Sequence, residues 1–211
     1  MSKKVTLLLD GHEIKAHAGE SVLEAALAHG IYIPHLCHDQ DLKPHGACRL
    51  RIVEIKGMKG FPAACATEAA EGMVVNTSSA GLDRVRRDTL ELMLTEHPLD
   101  CLTCTANQRC ELQKAVAHIG GLTRTLRRTG KSNQMEALTP FFGIDRDYCI
   151  LCQKCVRACE EIARKNILTV IHRGAECRIA SFAGEAEKNS ACRDCLECVK
   201  KCPTAALKAV P

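Results

Sequence analysis

Cys149, Cys152, Cys155 and Cys159 stand at the spacing C-x2-C-x2-C-x3-C, and Cys192, Cys195, Cys198 and Cys202 repeat it. Thiolates set this closely are suited to iron and inorganic sulfide. Three from one loop reach three irons of a single cubane, while the fourth, just inside the following helix, points at the other cluster. The pairing is therefore expected to be crosswise. Cys149, Cys152, Cys155 and Cys202 would hold one 4Fe-4S cluster, and Cys192, Cys195, Cys198 and Cys159 a second. Pro203 ends the second run in the usual way, whereas Glu160 takes its place in the first. Zinc is the competing metal, but zinc ribbons use two separated C-x2-C pairs rather than four cysteines in one run.

The elements that must position these and the remaining cysteines can be read in order. Residues 3–9 and 12–16 alternate as two strands joined by the turn signal Asp10-Gly11. Ser21 caps a helix whose apolar positions Val22, Leu23, Ala25, Ala26 and Leu27 cover one side, and Gly30 ends it. Cys37 follows, then Cys48 after ten residues, a strand-like run from Leu50 to Ile55, and Cys65 beyond Pro62. From Ala80 to Glu96 the apolar spacing predicts one helix, stopped at His97-Pro98. His97, Cys101, Cys104 and Cys110 then stand at H-x3-C-x2-C-x5-C, followed by Glu111-Leu112-Gln113 and a helix to Ile119 that Gly120-Gly121 terminates. A polar, basic linker is expected over 122–140. Beyond it come a helix after Cys155 and two strand-like runs, at 167–171 and 178–182. Cys177 falls outside every ligand spacing and reads as a structural thiol.

The order Cys37, Cys48, Cys65 resembles the plant-type ferredoxin beta-grasp, in the long-loop form found at the start of the complex I large (G-type) subunit. That family pattern is C-x10-C-x2-C-x13-C, and its third position here is Arg51. Three thiolates remain where a 2Fe-2S cluster needs four ligands. The site is read as empty or holding a labile cluster, with completion by His35, His38, His45 or a neutral Arg51 as the open alternative. The run from His97 to Gln113 resembles the 4Fe-4S site of the same family, with ligands His97, Cys101, Cys104 and Cys110. One imidazole in place of a thiolate removes a negative charge and should raise the potential. Together these stretches cover almost the whole chain. They resemble the iron-sulfur region shared by the complex I large subunit, NAD-linked formate dehydrogenases, electron-bifurcating hydrogenases and the small diaphorase subunit of NAD-reducing nickel-iron hydrogenases.

The resemblance implies an α+β chain of three parts and a linker: a beta-grasp domain at 1–78, a histidine-plus-cysteine helical module at 79–121, a linker at 122–140 and a bacterial 2[4Fe-4S] ferredoxin-like domain at 141–211. Composition agrees with metal-stapled modules. Across 211 residues there are fifteen Cys but only four Phe, two Tyr and no Trp, so metal binding must contribute folding energy. Nothing at the start reads as a secretory leader, no run of eighteen apolar residues occurs, and the protein is expected in the cytoplasm. The net charge of +4 argues nothing for nucleic acid, because ligating thiolates and loaded clusters are negative. Arg124, Arg127, Arg128 and Lys131 read as a solvated or subunit-facing segment. Gly130-Lys131-Ser132 lacks the strand and the first glycine of a phosphate loop.

Within these residues there is no G-x-G-x-x-G and no motif of a pterin or hydrogen-cluster domain. The expectation is a non-catalytic electron wire carrying three 4Fe-4S clusters in a hetero-oligomer. One partner would be a flavin subunit handling NAD(H) or NADP(H), the other a hydrogenase or formate dehydrogenase catalytic subunit. A freely diffusing polyferredoxin is the alternative, though it would have little need of the two N-terminal modules.

Overall fold

In a computed structural model of the chain, residues 4–120, 134–182 and 192–210 are described. They form two compact units of mixed helices and small sheets. The basic segment from Arg124 to Lys131, with Gly130-Lys131-Ser132, lies outside the described residues. No helix among those described is long and apolar enough to cross a membrane.

The first unit comprises residues 4–38, 44–91 and 115–120. Strands β1 (Lys4–Leu9) and β2 (His12–His17) pair antiparallel with Leu9 opposite His12. The two-residue turn puts both Asp10 and Gly11 at positive φ, 51° and 81°. That is the conformation for which Asp-Gly is selected. Alternation turns Val5, Leu7, Leu9, Ile14 and Ala16 to one buried face. Helix α1 (Val22–Ala28) lays Val22, Leu23, Ala25 and Ala26 into the same core. Its start is fixed by a reciprocal cap. The Glu24 amide donates to Ser21 Oγ at 3.2 Å, and the Ser21 amide donates to Glu24 Oε2 at 2.9 Å. After this crossover β4 (Val74–Asn76) returns parallel to β1, and β3 (Glu54–Ile55) completes the order β2-β1-β4-β3.

The expected strand over Leu50–Ile55 is shorter than its composition suggests. Only Glu54 and Ile55 join the sheet, with one isolated bridge between Ile52 and Ala63. Arg49, just before the run, takes a positive φ of 53°. The carbonyls of Leu50 and Ile52 instead accept from the buried guanidinium of Arg86, at 3.1 and 2.7 Å. Arg86 lies on α2 (Ala80–Glu96), where Leu82, Arg86 and Leu90 form the buried stripe at i, i+4, i+8. Arg86→Met should keep the stem and orphan both carbonyls. At about 1–3 kcal/mol for a buried acceptor left unpaired, we expect a loss of about 2–4 kcal/mol, read as a lower urea midpoint for this unit.

The second unit comprises residues 39–43, 92–114, 134–182 and 192–210. Its three-stranded sheet has the order β5-β6-β9, from Met135–Thr139, Phe142–Asp145 and Leu207–Ala209. Strand β5 thus falls in a stretch expected to be linker. Only its last two residues are buried, so its pattern is too short and polar to announce a strand. Strands β7 (Leu168–Ile171) and β8 (Arg178–Ser181) pair separately. Phe142, Ile144, Ile167, Leu168, Ile179 and Leu207 form the core together with four cysteines. Residues 39–43 are held in this unit by Lys201 Nζ, 2.7 Å from Asp39 Oδ1 and 2.6 Å from Asp41 Oδ2, and by Arg157, which donates to the Lys43 carbonyl at 2.6 Å.

Candidate metal centres

The two cysteine runs fold alike. The residue between the second and third cysteine, Gln153 in one and Leu196 in the other, takes a left-handed conformation, φ 61° and 47°. A one-turn helix follows each, α4 (Lys154–Arg157) and α5 (Glu197–Lys200). α4 continues as a π-helical turn over Ala158–Ile162, which carries Cys159. The reversal wraps each loop around a concave space. Cys149, Cys152, Cys155 and Cys202 line one hollow together with Ile144, Ile179 and Leu207. Cys159, Cys192, Cys195 and Cys198 line another with Phe142, Ile167 and Leu196. Each hollow thus takes three sulfurs from one run and one from the other. Cys177, beside the 3-10 turn Gly174–Glu176, lines neither.

Burial dominates the electrostatics of these thiols. It pushes Cys152 and Cys198 up to about 12 and raises Cys155 well above the usual thiol range, with neighbouring thiols adding to the shift. Without a cation in the cavity, such sulfurs stay protonated. Amide donors oppose this: those of Lys154 and Val199 lower Cys152 and Cys198 respectively. The Ile167 amide donates to Cys159 Sγ at 3.2 Å. The donor set fits an iron-sulfur group, whose positive irons would hold the thiolates and whose sulfurs these amides would stabilise.

His97 follows the last turn of α2, and Cys110 directly precedes α3 (Glu111–Ile119), with Cys101 and Cys104 in the turns between. The His97 ring is buried edge-on to Tyr148, with centroids 5.5 Å apart. Its Nδ1 lies 2.8 Å from the Pro98 carbonyl. A carbonyl can only accept, so Nδ1 carries the proton and Nε2 the lone pair, the tautomer a metal-binding imidazole requires. Burial raises Cys110, and Cys104 and Cys101 add to the shift. The trailing Glu-Leu-Gln has structural work. Glu111 takes Lys154 Nζ with both oxygens at 2.7 Å, Leu112 is buried, and Gln113 accepts from the Gln108 amide at 3.0 Å. Lys154, with a side chain 3% exposed, was not legible as part of this site. Its partner lies 43 residues away, and no local spacing marks it.

In the first unit Cys37, Cys48 and Cys65 are all buried, and so is Arg51. Arg51 Nη2 donates to Cys37 Sγ at 2.6 Å, and the Cys48 amide donates to the same sulfur at 3.3 Å. The Cys37–Cys48 hydrogen bond holds a proton on Cys37 and lowers Cys48, a lowering the Arg51 charge reinforces. Burial raises Cys65. Of the three alternative histidine donors, His35 Nδ1 bonds to the Ile33 carbonyl at 2.7 Å and its ring meets that of His38 edge-on. His45 is exposed.

Residues 2–80 match a family described as a 2Fe-2S iron-sulfur cluster binding domain. Residues 86–122 match the NADH-ubiquinone oxidoreductase-G iron-sulfur binding region. The chain is 35% identical over 210 residues to the G 2 subunit of the NADH-quinone oxidoreductase of Rhizobium meliloti (strain 1021), an alignment covering 98% of this chain and 24% of that protein. It is 31% identical over 209 residues to the NADP-reducing hydrogenase subunit HndD of Solidesulfovibrio fructosivorans, covering 96% of this chain and 36% of that one. The chain therefore spans well under half the length of these curated relatives. A chain from the crystal structure of an NAD+-reducing [NiFe]-hydrogenase in the H2-reduced state superposes with a TM-score of 0.79 at 34% identity, covering 97% of this chain and 87% of that one.

Proposed function

The chain belongs to the family of iron-sulfur subunits of NAD(P)-linked oxidoreductases typified by the large, G-type subunit of complex I, and from that premise we propose that it relays electrons through three 4Fe-4S clusters. The ligands are His97, Cys101, Cys104 and Cys110 for one, Cys149, Cys152, Cys155 and Cys202 for the second, and Cys192, Cys195, Cys198 and Cys159 for the third. One observation carries this reading: two hollows, each lined by four cysteines drawn crosswise from the two runs. In fold terms the first unit is a beta-grasp and residues 141–211, joined by strand β5 at Met135–Thr139, a 2[4Fe-4S] ferredoxin-like domain, with the histidine module over 79–121 and the linker ending before Met135.

Each cluster would take up and release one electron at a time. The chain's own part is to fix the sulfurs, exclude water and set each potential. The amides at Cys152, Cys159 and Cys198 stabilise the added negative charge of reduction. The neutral imidazole of His97 gives its site one negative charge fewer than the other two, placing it at higher potential. One end of the relay meets a flavin subunit handling NAD(H) or NADP(H), and the other a hydrogenase or formate dehydrogenase catalytic subunit, in a soluble cytoplasmic hetero-oligomer. Redox titration of the iron-loaded protein followed by electron paramagnetic resonance tests the assignment. Three 4Fe-4S signals are expected, and His97→Cys should lower the potential of one and leave two unmoved. A colourless protein containing zinc would sink the reading, and purification from native extract as a lone monomer would favour the free carrier.

A further inference from the structure

We propose that the first unit carries no 2Fe-2S cluster, although the family its residues match is described as binding one, and that the Arg51 guanidinium occupies the place of the missing ligand and metal. The donor set does not fit the group. A two-iron cluster takes four protein ligands, and Cys37, Cys48 and Cys65 supply three. The fourth position holds a side chain that keeps its proton and has no lone pair to give.

Geometry carries the argument further. Arg51 is fully buried, and its Nη2 stands 2.6 Å from Cys37 Sγ. A metal bonded to that sulfur at about 2.3 Å, the usual metal–thiolate length for zinc, would contest the space the guanidinium fills. Nε and Nη1 of Arg51 find no acceptor among the described residues, and its charge is set against the sulfurs of Cys37 and Cys48, so iron brought here would compete with a cation that those sulfurs already hold. The sulfur of Cys37 meanwhile accepts from two protein donors, Arg51 and the Cys48 amide. The unit does not lean on metal for its core. Helix α1 on a four-stranded sheet closes around apolar residues alone apart from Cys65.

This inference is independent of which partners the relay serves. Its test uses the full chain, purified anaerobically with its clusters, analysed for iron, acid-labile sulfide and paramagnetic species. The native protein is expected to hold about twelve irons, three cubanes' worth, and to give no 2Fe-2S signal on reduction. Arg51→Cys restores C-x10-C-x2-C-x13-C and should gain about two irons, two sulfides and a 2Fe-2S signal. A 2Fe-2S signal from the native protein overturns the proposal whether or not the variant folds. So does an Arg51→Cys protein that keeps its three cubane signals and gains nothing. Because cubane and two-iron signals are read in one sample, failure here is distinguishable from failure of the 4Fe-4S assignments.

Discussion

Cys202→Ala is expected to lose about four irons, and the site that empties is the one built from Cys149, Cys152 and Cys155, not the run in which Cys202 stands. Cys159→Ala should do the converse and empty the site of Cys192, Cys195 and Cys198. The reason lies in the direction each fourth cysteine takes. Cys202 lines the hollow with Ile144 and Ile179, and Cys159 the one with Phe142 and Ile167. Each substitution leaves three sulfurs around a space that water or an external thiol fills poorly, so loss of the whole cluster follows. Electron transfer through the chain should fall to background in either variant, since hopping cannot skip a missing member of the line. Iron analysis with Mössbauer spectroscopy on both variants decides it. If each variant lost the cluster of its own run, the crosswise assignment would be wrong.

Stripping iron should unfold the second unit and leave the first standing. Three cysteines of the second unit's core sit below a tenth exposed with burial raising their pKa values. The cavities they line occupy the centre of the unit, where Phe142, Ile144 and Leu207 pack against them. A structural metal site contributes apparent binding energies of about 10–16 kcal/mol, as measured for zinc fingers. A domain's whole stability is about 5–15 kcal/mol. Removing the three such sites of this unit therefore exceeds what the small three-stranded and two-stranded sheets can retain. The first unit keeps the capped α1, its four-stranded sheet and the Arg86 bonds to Leu50 and Ile52. Hydrogen exchange on chelator-treated protein should show protection lost over 134–182 and 192–210 and kept in β1, β2 and α1. Uniform retention across both units would contradict it.

Much of the local structure is legible in short stretches of the chain. The bounds of α2 and α3 follow from apolar spacing, the stop at Pro98 and the glycines at 120 and 121, because helix termination is a short-range steric event. The cap at Ser21 and the turn at Asp10-Gly11 are read from two to four residues for the same reason. The strand expected through Leu50 was not so readable. What interrupts it is a guanidinium from α2, more than thirty residues on.

Sequence alone determined that the first three cysteines of each run share a loop, since two residues of chain between them confine their Sγ atoms whatever the rest of the protein does, while the fourth faces the other run only in the fold. Tertiary structure alone decided where the buried cations went. Arg51 against Cys37, Arg86 against two carbonyls and Lys154 against Glu111 each remove a charge from water. A desolvated charge takes whichever acceptor the fold brings to it, at any distance along the chain.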